Sequence, residues 1–296
     1  MTAAERGVLL LCSQLDADGP QPLTMAQFRE LSKRAHAVGM GGDDPLRELT
    51  PSDIRTLGYD AAEADRIAAL LGREAQLDRL LSLCESRGIT PLARISDAYP
   101  ARLCRVLGLS CPPVLFAVGN AALLSARCIS LVGSRELSAD GRRFAEKVGA
   151  LCAAEGYTLC SGGAVGADRA AQDACLAAGG NVLVFTAEPL FQKQGDEHIV
   201  YVAEGGISLP FSAARAMSRN RLIHAMGEKT LVAQTGFGAG GTWNGTLDNL
   251  RHGYSPVFLR DDGSAGAAAL IARGACPVSD VDSLSALTPP QTQFQI

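Results

Sequence analysis

The 296-residue chain has no long apolar run, no Cys-x-x-C pair and no surplus of positive charge, and each shortage removes a class of protein. Without an uninterrupted apolar stretch of roughly 18 residues, nothing is expected to cross a bilayer as a helix. The first residues lack a basic start, an apolar middle and a small-residue cleavage site, so no secretory leader is expected and the expected compartment is the cytoplasm. Nine cysteines (Cys12, Cys84, Cys104, Cys111, Cys128, Cys152, Cys160, Cys175, Cys276) stand singly, mostly within apolar runs. No histidine sits near them at ligand spacing, so they read as buried, reduced thiols, with no metal site and no cofactor. Lys and Arg number 27 against 31 Asp and Glu, a formal net charge of -4. Bulk electrostatics therefore give no argument for a polyanionic partner, and any such partner must meet a local basic patch.

Hydrophobic residues make up 47% of the chain and charged ones 20%, the balance of a well-filled globular protein. Aromatics are only 5% while Ala and Gly abound, which predicts closely packed helices. The length allows one large domain with a smaller one attached. The first 88 residues read as helical. Leu9, Leu10 and Leu11 belong to an opening helix, and Thr24 is placed to cap a second one running through Phe28 and Leu31 to a stop near Gly39. Thr50-Pro51-Ser52-Asp53 then sets a cap, a first-turn proline and an acid in the order a helix start prefers. Leu57-Gly58-Tyr59 turns that short helix into another carrying Ala62, Ile67 and Leu71. Two short helices joined through Leu-Gly are similar to a helix-hairpin-helix or SAM-like unit, whose turn can offer N–H groups to a DNA phosphate. A plain helical bundle fits the same pattern.

A linker is expected at 88–100, and beyond it the period changes. Apolar runs recur at 111–120, 128–132, 157–160, 181–185, 229–234 and 256–259. Between them lie helical faces, one of Phe144, Val148, Leu151 and Cys152, another of Ala167, Ala170, Ala171, Ala174 and Cys175. Continuous apolar strands alternating with helices predict an α/β fold: a Rossmann-like, doubly wound, mostly parallel sheet, with a small all-helical domain before it. The expected division is 1–88 helical, 89–284 Rossmann-like and 285–296 a flexible tail. A ligand is then expected beyond the carboxyl ends of the strands.

Twice an apolar run ends in small residues and opens an amphipathic helix, in ISLVGSRELS (129–138) and TLCSGGAVGADRAAQDAC (158–175). Such a turn leaves unpaired N–H groups and the positive helix end at one spot, which suits a phosphate. In the first, Gly133 permits a tight exit, Ser134 adds a hydroxyl and Arg135 a guanidinium; a purely structural turn would look the same. In the second, Ser161, Gly162, Gly163 and Gly166 allow close approach of a ligand, and Asp168 either caps backbone donors or accepts from a ribose or base. Arg219 and Arg221 flank Asn220 in SRNRLIHAM, a set suited to phosphates and equally to a solvated helix start. Gly240, Gly241 and Thr242 make a third glycine-rich exit, followed by Trp243, the sole tryptophan, which could stack on a base or fill the core.

The order of these segments, VGSR, SGGA-x-GAD, RNR and then a strand followed by GGT, resembles the DNA processing protein A (DprA/Smf) family, over about residues 89–259. RISDAYPARL (94–103) and PPVLFAVGN (112–120) are similar to that family's lead-in. The resemblance implies a non-enzymatic protein that holds single-stranded DNA by its phosphate backbone in a basic pocket. By match of motif, Gly133, Ser134, Arg135, Ser161, Gly162, Gly166, Asp168, Arg219, Asn220 and Arg221 inherit that role. It also implies help in loading a recombinase onto DNA, a homodimer, and a place in DNA uptake, recombination or defence against foreign DNA. Departures mark a divergent branch: Ala171-Gln172 where the family has Ala-His, Gln234 where a strand usually ends in Glu, Gly240-Gly241-Thr242 where it has Ser-Gly-Thr/Ser, and no expected C-terminal winged helix.

Two rivals stand beside it. A sensor would bind a small nucleotide signal in the same pocket. An enzyme of the lysine-decarboxylase-like group would cleave nucleoside monophosphates through P-G-G-x-G-T-x-x-E, but Gly245 occupies the position of that glutamate. Glycosidic cleavage needs a carboxylate there.

Overall fold

The computed structural model describes residues 1–16, 19–40 and 49–289, so residues 290–296 of the expected tail lie outside the described residues. The chain divides into two compact units, the first made of Met1–Ala121, Glu188–Gln194 and Val202–Pro210. Its helices begin where the cap signals stand. α1 (Ala3–Cys12), α2 (Met25–Ala37) and α3 (Pro51–Thr56) each start from a threonine whose hydroxyl accepts from the backbone three residues on, while that residue's side chain returns to the threonine N–H. The pairs are Thr2 with Glu5, Thr24 with Gln27 and Thr50 with Asp53, each satisfying two orphan donors at once. α4 (Ala61–Leu71) starts from Asp60, and α5 (Glu74–Ser86) follows. Leu9, Leu11, Leu31, Ile54, Ile67, Leu70 and Leu77 are fully buried and supply the apolar interior.

At the α3–α4 turn the Gly58 N–H bonds the Arg55 carbonyl at 2.9 Å. Arg34 Nη1 donates to the Leu57 and Gly58 carbonyls at 3.3 and 3.1 Å, and its guanidinium lies 4.5 Å over the Tyr59 ring. The Gly58 N–H is thus engaged within the turn and its carbonyl by Arg34. β1 (Ile89–Ala93) occupies ground expected to be linker; it pairs antiparallel with β2 (Val114–Gly119), Ile89 opposite Val118, and α6 (Ala101–Leu107) lies between them in sequence. Pro91 interrupts its apolar pattern, and a proline is tolerated there because β1 is the outermost strand.

The second unit comprises Ala122–Ala187, Gly195–Tyr201 and Phe211–Ile296. Its strands are β3 (Cys128–Val132), β4 (Thr158–Ser161), β5 (Asn181–Phe185), β7 (Thr230–Val232), β8 (Val257–Arg260) and β9 (Cys276–Val278), while β6 (Ile199–Glu204) is divided between the two units. Its helices are α7 (Ala139–Ala154), α8 (Ala167–Ala177), α9 (Ala213–Met226), α10 (Gly241–His252) and α11 (Ala265–Ile271). Among the described residues nine strands form one sheet in the order β1-β2-β6-β5-β4-β3-β7-β8-β9. β3 pairs in parallel with both β4 and β7, as do β4 with β5, β7 with β8 and β8 with β9. Every residue of β3, β4, β7 and β8 is buried, as befits strands covered on both faces. The fold is α/β, Rossmann-like and mostly parallel. β6 and β9 were not among the expected strands: β6 alternates buried with half-buried positions, and β9 is a three-residue edge strand containing Pro277.

Close helix packing is visible where α7 crosses α8. A Cβ on Gly149 would overlap the Ala171 carbonyl, so backbone rests on backbone there. All nine cysteines are free; seven are buried, with Cys104 and Cys276 half-buried. Burial pushes the thiols of Cys12 and Cys111 up to about 12 and those of Cys84 and Cys175 up to about 11, far from the reactive thiolate range. Among the described residues no helix is long and apolar enough to cross a membrane, and no cluster of His, Cys, Asp and Glu could hold a metal ion.

The order of the strands places the site. From β3 the chain runs outward through β4 to β5 on one side, and from β7 through β8 to β9 on the other, so the reversal lies between β3 and β7. Sheets of this kind open a crevice at such a reversal, beyond the carboxyl ends of the strands.

Candidate nucleic-acid interface

At the carboxyl ends of β3 and β7 the two chains are stitched together. The Ser134 N–H and hydroxyl both donate to the Gln234 carbonyl, at 2.9 and 3.2 Å. Gln234 Oε1 accepts from the Ser138 N–H and hydroxyl, each at 3.0 Å, and Ser138 in turn caps α7. Gln234 therefore sets where α7 begins.

The β4 exit is organised from within. Asp168, in the first turn of α8, accepts from the Gly162 and Ala164 N–H groups at 3.0 and 3.3 Å. Burial raises its pKa to about 6, against the pull of Arg219, the two amides and Arg135. Gln172 Nε2 donates to the buried Ser161 hydroxyl at 2.5 Å, so both glutamines that depart from the family pattern hold a turn in place. Gly166 has φ 92°, and a Cβ there would overlap the Ser134 and Arg135 carbonyls; only glycine fits where the β3 and β4 exits meet. Arg219 Nη1 donates to the Gly162 and Phe185 carbonyls, both at 2.6 Å, bracketing the ends of β4 and β5.

These exits enclose one cleft of about 550 Å³. Gly133, Ser134, Arg135, Asp168, Arg219, Asn220, Gly240, Gly241 and Thr242 all line it. Ser161, Gly162, Gly163 and Gly166 do not; they form the turn behind Asp168. Arg221 is also elsewhere. The RNR segment is not a helix start, since α9 begins at Ala213 from the Ser212 cap, and residues two apart on a helix point about 200° apart. Arg221 lines a separate groove of about 540 Å³ with Ser218, Asn244, Asp248 and Arg251, and Asn220 is shared by both hollows. Asn220 Nδ2 donates to the Gly241 carbonyl at 3.2 Å, tying α9 to the start of α10.

α10 starts from Gly240 (φ 98°) without a side-chain cap, so its first amides are left for another partner. Arg135 is exposed at the cleft and makes no ion pair with a described residue. The other wall is apolar: Phe211, Met217 and Ile223, which went unread in the sequence, line it with Trp243, and Phe211 is 54% exposed. Helical spacing of Ala213, Ala216, Met217 and Asn220 was the available signal, hidden because α9 has a weakly amphipathic pattern. Trp243 is 5% exposed, with Phe237 edge-on at 5.3 Å between ring centroids and Arg273 over its other side at 5.8 Å, so it acts mainly as packing at the edge of the cleft.

The model of the family described as DNA recombination-mediator protein A matches residues 91–288, spanning the cleft and every strand that leads to it. The chain belongs to this family. Among its relatives, the DNA processing protein DprA of Bacillus subtilis is 26% identical over 271 residues, covering 86% of this chain and 90% of that one. DprA of Streptococcus pneumoniae is 27% identical over 248 residues, covering 79% and 85%. The solved structure of the Streptococcus pneumoniae protein superposes with a TM-score of 0.72 at 23% identity, over 95% of this chain and 96% of that chain, which establishes the shared fold. A structure of DNA processing protein A from Helicobacter pylori, described for its single-stranded DNA binding mode, matches with a TM-score of 0.54 at 20% identity over 64% and 90%.

Proposed function

We propose that this DprA-family chain binds single-stranded DNA, with phosphates of the strand held at the cleft between β3 and β7. The observation that carries the reading is convergence: the β3, β4 and β7 exits, distant in sequence, bound one cleft that has an exposed arginine and the uncapped α10 amides on it. Arg135 supplies the charge and the amides of 241–243 the directional donors. Arg219 and Asp168 serve by shaping the turn, since each is already bonded within it. Arg221 and Arg251, in the second groove, extend the same strand's path past Asn220. We further propose that residues 1–88 act as a helical module beside the 89–284 module that holds the strand, and that the chain acts as a homodimer with a recombinase in DNA uptake, recombination or defence.

The enzyme reading would rest on Asp168, the sole carboxylate lining the cleft among the described residues, whose Oδ2 accepts from two backbone amides and so serves the turn. The sensor reading keeps one point in its favour, since about 550 Å³ suits a mononucleotide. Titration of a labelled oligonucleotide at two salt concentrations, against a panel of mononucleotides, decides between them. Tight, salt-sensitive oligonucleotide binding that weakens in Arg135→Ala is the expected result. Oligonucleotide binding undiminished by Arg135→Ala, or binding of a mononucleotide alone, would overturn the proposal.

A further inference from the structure

The cleft contains a ring that this reading leaves idle. His224, in the last turn of α9, is 1% exposed and lines the cleft. Its Nδ1 lies 3.1 Å from Asn249 Nδ2 and 3.3 Å from Thr230 Oγ1. The orientation of Asn249 follows from its other bonds: Oδ1 accepts from the Ser255 N–H at 3.0 Å, so Nδ2 faces the ring and the Ser255 hydroxyl, 3.3 Å away. The Thr230 and Ser255 hydroxyls bond each other at 2.7 Å and close the network.

An amide nitrogen donates and cannot accept, so Nδ1 must present its lone pair, and the single proton of the neutral ring sits on Nε2. Burial pushes the ring's pKa down to about 4, which keeps it neutral near pH 7. Nε2 lies on the side of Gly245 and Asn220: a Cβ on Gly245 would stand 3.2 Å from Nε2 and 3.3 Å from Asn220 Cβ. Among the described residues nothing accepts a hydrogen bond from Nε2. The network thus fixes an oriented, uncharged donor beside Asn220 and Gly245, on a ring that lines the cleft together with Met217, Ile223 and Trp243.

We propose that His224 is a specificity-determining residue whose Nε2–H reads a hydrogen-bond acceptor on a nucleobase of the bound strand. The inference rests on the strand-binding reading above and assigns a contact to a base of the strand as well as to its backbone. A phosphate is a poor fit there, because a neutral donor among apolar side chains cannot offset the cost of stripping water from a charged group. A base is uncharged, offers ring nitrogens and carbonyl oxygens along its edge, and has a flat face to set against apolar side chains. Arg135 and the α10 amides, nearer solvent, remain for the backbone.

The test uses the full chain, an oligonucleotide with normal bases and an abasic oligonucleotide of the same length. In the parent protein, the imidazole Nε2 resonance of His224 is expected to shift on adding the base-bearing strand and to stay put with the abasic one. His224→Phe keeps the ring's shape without its nitrogens; it is expected to lower affinity for the base-bearing strand about tenfold, the loss of one well-placed donor, and to leave abasic binding unchanged. A silent Nε2 resonance, or equal loss on both strands, would overturn the assignment. Should the variant not fold, the resonance of the parent protein decides alone. If the parent binds neither strand, strand binding itself falls; if it binds both equally, only the role of His224 does.

Discussion

Helix beginnings around the cleft differ from most of those in the first unit, where α5 and α6, starting from Arg73 and Pro100, also lack a side-chain cap. In the first, α1 to α4 close their own N-termini with Thr2, Thr24, Thr50 and Asp60. In the second, α8 and α10 begin from Gly166 and Gly240, both at positive φ and both without a side-chain cap, and Asp168 of α8 and Gly240 line the cleft. A helix that caps itself is finished as the chain folds. One that starts from a bare glycine depends on its surroundings, and here the surroundings are either another strand exit or a ligand. α7, α9 and α11, capped by Ser138, Ser212 and Ser264, show that the second unit does not lack caps in general. Capping is missing at two of the three turns that bound the cleft.

The contrast can be broken most forcefully at Gly166. Gly166→Ala places a methyl group against two carbonyls at a backbone angle that disfavours it, and is expected to cost about 3 kcal/mol or more, seen as a large drop in melting temperature together with loss of oligonucleotide binding. Unchanged melting would show that the β3 and β4 exits are looser than they look.

Asp168 comes next, because its turn is held by a carboxylate against burial. Its raised pKa means that its contribution to stability is full below its unfolded value near 3.8 and is lost as pH rises through about 6. The difference in unfolding free energy between Asp168→Asn and the parent is therefore expected to move in the variant's favour by roughly 2–3 kcal/mol from pH 4 to pH 7. His224 works the opposite way: its depressed pKa makes stability rise with pH between about 4 and 6.5. A pH series on His224→Phe beside Asp168→Asn separates the two, and parallel curves for both variants would refute the signs.

Arg135→Ala is expected to weaken oligonucleotide binding about tenfold and to flatten the slope of log affinity against log salt by about 0.7, with melting unaltered. An unaltered slope would place the phosphate elsewhere. The smallest effect is expected in the first unit, where Thr50→Ala removes a cap at a cost of about 1 kcal/mol and leaves oligonucleotide binding untouched. A loss of binding there would mean that the helical unit has its own part in holding the strand.

Much of this was legible in the residues because the signals are local. A Thr-Pro-Ser-Asp start, a run such as CISLV and a glycine turn after it each announce themselves within ten residues. What escaped reading depends on direction and distance. Nothing in SRNR says that α9 starts at Ala213, so the opposite headings of Arg219 and Arg221 became visible only with the helix in place. Pro91 and Pro277 disguised β1 and β9, whose outer positions make a proline harmless. His224 drew no reading in the sequence, because the partners that set its tautomer, Asn249 and Ser255, lie some 25 and 31 positions further on.

The seat of Gly149 on Ala171 bears on how such a sequence can drift. Both surfaces at that crossing are main chain, which no exchange of side chains can trim back. Any larger residue at 149 must push two helices apart, and with them the turns at the ends of β3 and β4, so no single compensating replacement exists. Divergent descendants of this chain should keep hydrogen, and nothing bigger, at 149.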